Sequence, residues 1–417
     1  MLKKLAYISV FTSLVGAKFF SINLDVFQLS IFRILIIFMV FAMFIMTLLR
    51  NGKINLTKNS FSIKFMLFWL IYAFMTLAWV EDYGSWFRAV YFLALGVVSI
   101  FIFSETFKNI DDILFAFRIM TIMMMIHNLI GWYEINTGNY LFLPMESLEK
   151  YAYYHYPASM FTNSNDFATL MLFSIFISYI CVVNSNRIIV KIVYLCTIIS
   201  SVLLIIMANS RANLIGMILA FSVFFYFSVK KKRGRRILLA ISIILFGVIL
   251  VKPEVFTSIL MDVNQNLDVA SNVESDIIRT NLYKNGFVFL INTFGFGTGA
   301  GNIEYWMANF GEYNTGGIIN IHNWWLEILT GYGIVIFVLY VTFYFKLFRS
   351  LSLIYRNSKE QKTASISLAV MCCMTGFVIG SLSSSSNISS EWLWVFWGIA
   401  IALQVIGKRD IVTYCIK

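Results

Sequence analysis

IVKIVYLCTIISSVLLIIM (residues 189–207), ANSR (208–211), ANLIGMILAFSVFFYFSV (212–229) and KKKRGRR (230–236) follow one another without interruption. Each apolar segment has the length a helix needs, at about 1.5 Å per residue, to cross a hydrocarbon layer about 30 Å thick. The residues between them allow only a tight turn, so the pair reads as a helical hairpin through a bilayer. Standing alone, the basic cluster Lys230–Arg236 would suit nucleic acid. Placed after a spanning segment, it reads as an anchor on the cytoplasmic side.

The rest of the chain repeats this pattern. Of 417 residues, 59% are hydrophobic and 13% charged, and mean hydropathy is +0.79; soluble domains carry about 25% charged residues. The apolar residues come in long runs. These features exclude a soluble enzyme, a disordered chain and a disulfide scaffold. The five cysteines lie in apolar runs or near the C-terminal end, which gives no disulfide framework.

Spanning helices are expected at 4–24, 26–48, 65–80, 89–105, 114–135, 167–184, 189–207, 212–229, 237–251, 322–345, 364–381 and 392–407. The expected fold is therefore an all-α, polytopic membrane protein of about twelve helices. It divides into 1–251 (nine helices), a long extracytoplasmic loop at 252–321, and 322–417 (three helices). Residues 4–24 read as the first span, not as a cleaved leader. With the N-terminus in the cytoplasm, Lys53, Lys58, Arg187, the 230–236 cluster, Arg356 and Lys408 all fall inside, as the positive-inside rule requires. Outside are Arg88, Lys150, Arg211, Lys252, Arg279 and Lys284, together with most of the acidic residues. Lys18, Arg33 and Arg118 fall within spans. They would pair with an acid such as Asp25, snorkel, or line a path for lipid.

Because outward cations are few, each bears on function. Arg211 follows Ser210 at the start of a span, where free N–H groups and the helix dipole favour an anion and a guanidinium adds bidentate phosphate recognition. An interfacial arginine reaching toward lipid headgroups reads equally well from the residue alone. Arg279 precedes a short helix expected over 276–291. Its alternative is an ion pair with Glu274 or Asp276, two acids whose spacing would also suit a divalent metal. His322 closes the long loop in Ile321-His322-Asn323-Trp324-Trp325-Leu326-Glu327, where an imidazole can exchange protons near neutral pH; an interfacial cap in an aromatic belt is the other reading. His127, inside an apolar run, reads as packing. His155 lies in an aromatic loop, 151–157, where packing and sugar stacking are both open, as they are for Trp306, Trp324 and Trp325. No histidine pair has zinc spacing. The run Phe294–Gly301 has glycines at 295, 297, 299 and 301 but no nucleotide-binding context, and reads as a turn that lets backbone approach closely.

The ordered set of Asn163-Ser164-Asn165-Asp166, Ser210-Arg211, Arg279, the Gly-rich turn and His322-Asn323 resembles the O-antigen ligase/polymerase family of the Wzy/WaaL type. The motifs cover 163–336. His322–Glu327 is most similar to teichuronic-acid or capsule polymerases. The sequence departs from the family at Gly331, where an acidic residue is common, and at Ile336, where glycine is.

The resemblance implies a GT-C-like, inverting glycosyltransferase without metal or other cofactor. It would act at the outer face of the bacterial cytoplasmic membrane on glycans linked to undecaprenyl diphosphate. Arg211 and Arg279 would bind the diphosphate with Ser210, Asn165 and Asn323 nearby, and His322 would act on the acceptor. The expected product is a cell-surface polysaccharide polymerised from repeat units, with a chain-length regulator as a candidate partner protein and no role for nucleic acid. A ligase delivering glycan to lipid A core fits the same motifs. A transporter or flippase is the alternative from another class; it would predict inverted repeats and mid-membrane ionisable groups, and no repeat is found.

Overall fold

A computed structural model describes residues 1–16, 21–24, 27–49, 61–143, 145–229, 269–384 and 387–416. The protein is a helical, multi-pass membrane protein. Among the described residues, nine helices are long and apolar enough to cross a bilayer. They lie within α2 (Ile31–Leu49), α3 (Phe61–Met75, continued by a 3-10 turn, Thr76–Ala78), α4 (Tyr83–Thr106), α5 (Ile110–Thr137), α7 (Ser164–Val183), α8 (Ile188–Met207), α9 (Arg211–Ser228), α12 (Trp324–Asn357) and α13 (Gln361–Gly380). The others are α1 (Leu2–Val15), α6 (Met145–Tyr154), α10 (Val269–Asn292), α11 (Ile303–Phe310) and α14 (Glu391–Ile416).

Three expected spans are not among the nine. The span expected at 4–24 is replaced by the 14-residue helix α1 and an antiparallel hairpin, β1 (Ser21–Leu24) with β2 (Phe27–Ser30). The reason is periodicity: apolar Ile22, Leu24, Phe27 and Leu29 alternate with polar Ser21, Asn23, Gln28 and Ser30, a period of two that fits a strand. The register pairs Ile22 with Leu29 and Leu24 with Phe27. The span expected at 237–251 lies outside the described residues. The span at 392–407 lies inside α14, whose residues from Glu391 to Leu403 are all buried.

The described residues form two compact units. The first comprises 1–119, 271–350 and 385–417. Lipid gives no hydrophobic drive for helices to associate, so shape must do it. Here α4 packs on α14 by exchange of small for large: a Cβ on Gly96 would stand 2.3 Å from the Trp394 ring, and one on Gly398 3.0 Å from Phe103 Cβ. Trp69, fully buried, packs against Trp324, Tyr332, Tyr340 and Trp394. The intramembrane cation Arg33 is held by Glu391, with Nε 2.6 Å from its carboxylate and both side chains buried. The same carboxylate oxygen accepts from Ser30, and Phe92 lies under the guanidinium. Lys18 and Asp25 lie outside the described residues.

The second unit comprises 120–270 and 351–384. Its centre is α7, buried along most of its length. Close approach of α9 and α13 depends on glycine: a Cβ on Gly216 would meet the Gly376 carbonyl at 2.6 Å, the small-residue contact that membrane helices favour. His127 is packing, as expected: it is fully buried, with Nδ1 2.9 Å from Ser159 Oγ and its ring against Phe161. Cys181, Cys196, Cys372 and Cys373 are free thiols.

Candidate functional site

In the second unit, the helix starts gather three of the expected substrate-binding residues. Asn163 caps α7 through its carboxamide oxygen, which accepts from Asp166 N–H at 2.9 Å, while its amide donates to the Asp166 carboxylate at 2.6 Å. This reciprocal arrangement satisfies helix-end groups without solvent. Two residues into that cap, Asn165 Oδ1 accepts from Ser210 Oγ at 2.7 Å. Asn213, fully buried, bridges the starts of α7 and α9: its amide donates to Asn165 O and to Ser210 Oγ. Ser210 stands at the N-cap of α9 but makes no cap bond; its Oγ accepts from the Asn213 amide instead. The turn before it needs Asn209 at φ 51, a left-handed conformation that asparagine tolerates. Arg211, the first residue of α9, is half-buried. The aromatic loop folds over these starts: Tyr151 Oη accepts from Ser164 N–H, and Asn209 donates to Tyr156 Oη. Tyr154 and Tyr156 stack on one another, and His155 Nδ1 is bonded to the Ile135 carbonyl.

In the first unit, the segment expected to be a long outer loop folds as α10, a glycine turn and α11. The helix expected over 276–291 is observed as 269–292. Leu282, Phe289, Ile303, Met307, Ile321 and Leu326 form its core. Buried Asn285 ties α10 to the loop after α11, accepting from Glu312 and Tyr313 N–H. Arg279 lies on α10, half-buried. The side chains of Glu274 and Asp276, its expected ion-pair or metal alternatives, lie outside the described residues.

The glycine turn does not hang free. α12 is broken at Gly333 (φ 79, ψ 177), which deprives nearby carbonyls of their helical partners. The turn supplies them: Thr298 N–H donates to Thr330 O (2.8 Å), Gly299 N–H to Gly331 O (3.0 Å), and Ile334 N–H in turn to Gly295 O (2.9 Å). Only glycine allows this approach, since a Cβ on Gly297 would lie 2.6 Å from Gly333 N. Next to it, buried Asn302 clamps the start of α4 by accepting from Glu81 and Asp82 N–H. Asp82 caps α4, and hydrogen bonds from Ser85 hold its carboxyl below the usual range.

His322 sits on the seam this builds. It is half-buried, with φ 48, a backbone state a non-glycine residue keeps only when its surroundings impose it. Asn320 does so from one side, accepting the His322 N–H at 2.9 Å. Asn323 does so from the other, capping α12 by accepting from Trp325 and Leu326 N–H. Burial, and secondarily the Arg279 guanidinium, push the His322 imidazole below its ordinary pKa of 6.5. It is therefore neutral near pH 7 and able to accept a proton. Trp324 is not part of an aromatic belt: it is buried and donates to Tyr340 Oη at 2.9 Å.

A cavity of about 200 Å³ opens beside this loop. Asn320 and Ile321 line it, with Arg88, Glu304, Glu327 and Tyr332. Sequence reasoning did not single out these polar residues as a group, because three separate segments bring them together. Among the described residues no cluster of three or more His, Cys, Asp or Glu could hold a metal ion.

Residues 168–341 match the O-antigen ligase family. That window contains Ser210, Arg211, Arg279, His322 and Asn323, and it implies an enzyme of glycosyl transfer. The resemblance extends beyond it. The chain is 27% identical over 413 residues to the teichuronic acid biosynthesis protein TuaE of Bacillus subtilis, covering 97% of this chain and 84% of that protein.

Proposed function

We propose that the protein polymerises undecaprenyl-diphosphate-linked repeat units into a cell-surface polysaccharide at the outer face of the cytoplasmic membrane. The observation that carries the reading is His322: a neutral, half-buried imidazole on an imposed left-handed backbone, within electrostatic reach of a guanidinium. A base with a cation within electrostatic reach suits glycosyl transfer from a lipid diphosphate.

The acceptor hydroxyl attacks the anomeric carbon of the donor. A new C–O bond forms as the bond from C1 to the phosphate oxygen breaks, with its electron pair leaving on the diphosphate. His322 takes the hydroxyl proton and later releases it to water. The leaving diphosphate gains charge as the bond breaks. Fixed guanidinium groups stabilise it best, since they need no reorganisation. Arg279 is assigned that role; Arg211, following Ser210 at the start of α9, is a second candidate anion-binding residue. No metal or other cofactor is required in this scheme, and the apolar helices accommodate the polyprenyl tail. Similarity to a teichuronic acid biosynthesis protein favours a polymer as the product. The family description itself favours a second reading, a ligase that transfers a finished glycan once.

Donor affinity tests the assignment. His322→Ala should abolish transfer by about 10²–10⁴-fold while lipid-linked donor still binds. Arg279→Ala should weaken donor binding as well as turnover. Normal transfer from His322→Ala would remove the histidine from the chemistry.

A further inference from the structure

We propose that the cavity lined by Asn320 and Ile321, next in the chain to His322, is a subsite for one uncharged sugar ring of the acceptor glycan. This rests on the glycosyl-transfer reading above and adds a binding surface to it. The cavity, about 200 Å³, is smaller than the roughly 300–1,000 Å³ of pockets that enclose drug-sized ligands. It holds one ring, not an oligosaccharide. Phe92 and Ile303 offer apolar walls for the C–H face of a pyranose.

Charge sorts the ligands. Glu304 and Glu327 stand against Arg88 alone around the cavity. Such a lining repels a diphosphate, and a uronate in the same direction. Ionised carboxylates only accept hydrogen bonds, and sugar hydroxyls are the donors that match them. Arg279 is not among the lining residues, so the anion and the sugar are assigned to different places.

Hydrogen bonds connect the cavity to the proposed base. Asn320 donates to Glu304 Oε1 at 3.1 Å and accepts the His322 N–H at 2.9 Å. One side chain thus fixes both a cavity carboxylate and the backbone that aims the imidazole.

The test uses the full-length protein in lipid nanodiscs, with D-glucose, N-acetyl-D-glucosamine and D-glucuronate as free-sugar probes in saturation-transfer NMR titrations. The uncharged sugars should bind more tightly than glucuronate. Glu304→Gln, isosteric and at an exposed position, should weaken them about tenfold, the effect of losing one charge-assisted hydrogen bond. Ser389→Trp should abolish binding by filling the exposed rim. Unchanged binding in both variants, or tighter binding of glucuronate, overturns the subsite; so does sugar binding lost to EDTA and restored by calcium, which would make the carboxylates a cation site. Transfer is assayed in parallel. Sugar binding without any transfer supports the subsite and removes only the reading beneath it. Transfer with unchanged acceptor KM in both variants removes the subsite alone.

Discussion

Replacing Gly297 with alanine tests the seam that positions His322. Gly297 and Gly317 share nearly the same φ, 84 and 82, but differ in surroundings. A Cβ at 317 meets nothing within 4 Å, whereas at 297 it meets Gly333 N at 2.6 Å and the Gly331 and Thr330 carbonyls at 2.8 Å. Both substitutions carry the left-handed strain of an L-residue, about 1–2 kcal/mol. Only Gly297→Ala must also push the turn off α12, breaking the bonds from Thr298 and Gly299 N–H. At about 1 kcal/mol each, those bonds add about 2 kcal/mol. Thermal unfolding of the detergent-solubilised protein, followed by fluorescence-detected size exclusion, should place Gly297→Ala several degrees below Gly317→Ala. Equal melting temperatures would refute the docking of the turn on the broken helix.

Four further outcomes are expected. Because the folded His322 pKa lies below 6.5, the imidazole stays neutral as pH falls through 6.5; transfer should hold there and fail only at lower pH, and Arg279→Met should shift that acid limb upward in a pH–rate profile. For the same reason the unfolded chain takes up a proton near pH 6.5 before the folded one does, so His322 contributes stability above pH 6.5 that is lost as pH falls below it. Arg211→Lys and Arg279→Lys keep charge but lose the planar fork, and donor titrations should show weakened binding for both. Asp82→Ala removes the cap of α4 and should cost about 1 kcal/mol in a denaturation midpoint, with no change in donor affinity.

The membrane helices were legible because the bilayer imposes a length, and runs such as 189–207 and 212–229 are read almost to the residue. The hairpin at 21–30 was obscured because hydropathy over a long window averages away a period of two. The break at Gly333 was hidden inside a continuous apolar run; its partner, the glycine turn, was visible only as a segment able to approach something. Arg33 and Glu391 lie at opposite ends of the chain, so the pairing of a buried cation at the start of α2 is a property of the fold. The same holds for Ser210 with Asn165, and for the cavity, whose Arg88, Glu304 and Glu327 come from segments with no shared motif. Arg211, Arg279 and His322 stood out in sequence because cations in the segments expected outside, and histidines, are scarce in this chain.

The central claim is metal-independent transfer from a lipid diphosphate. The most direct measurement is product analysis of the purified protein in nanodiscs, supplied with undecaprenyl-diphosphate-linked repeat units and EDTA. The account predicts a ladder of products many units long, with undecaprenyl diphosphate released at each step, from wild type but not from His322→Ala. Absence of any product until magnesium or manganese is restored, or an undiminished ladder from His322→Ala, would contradict it.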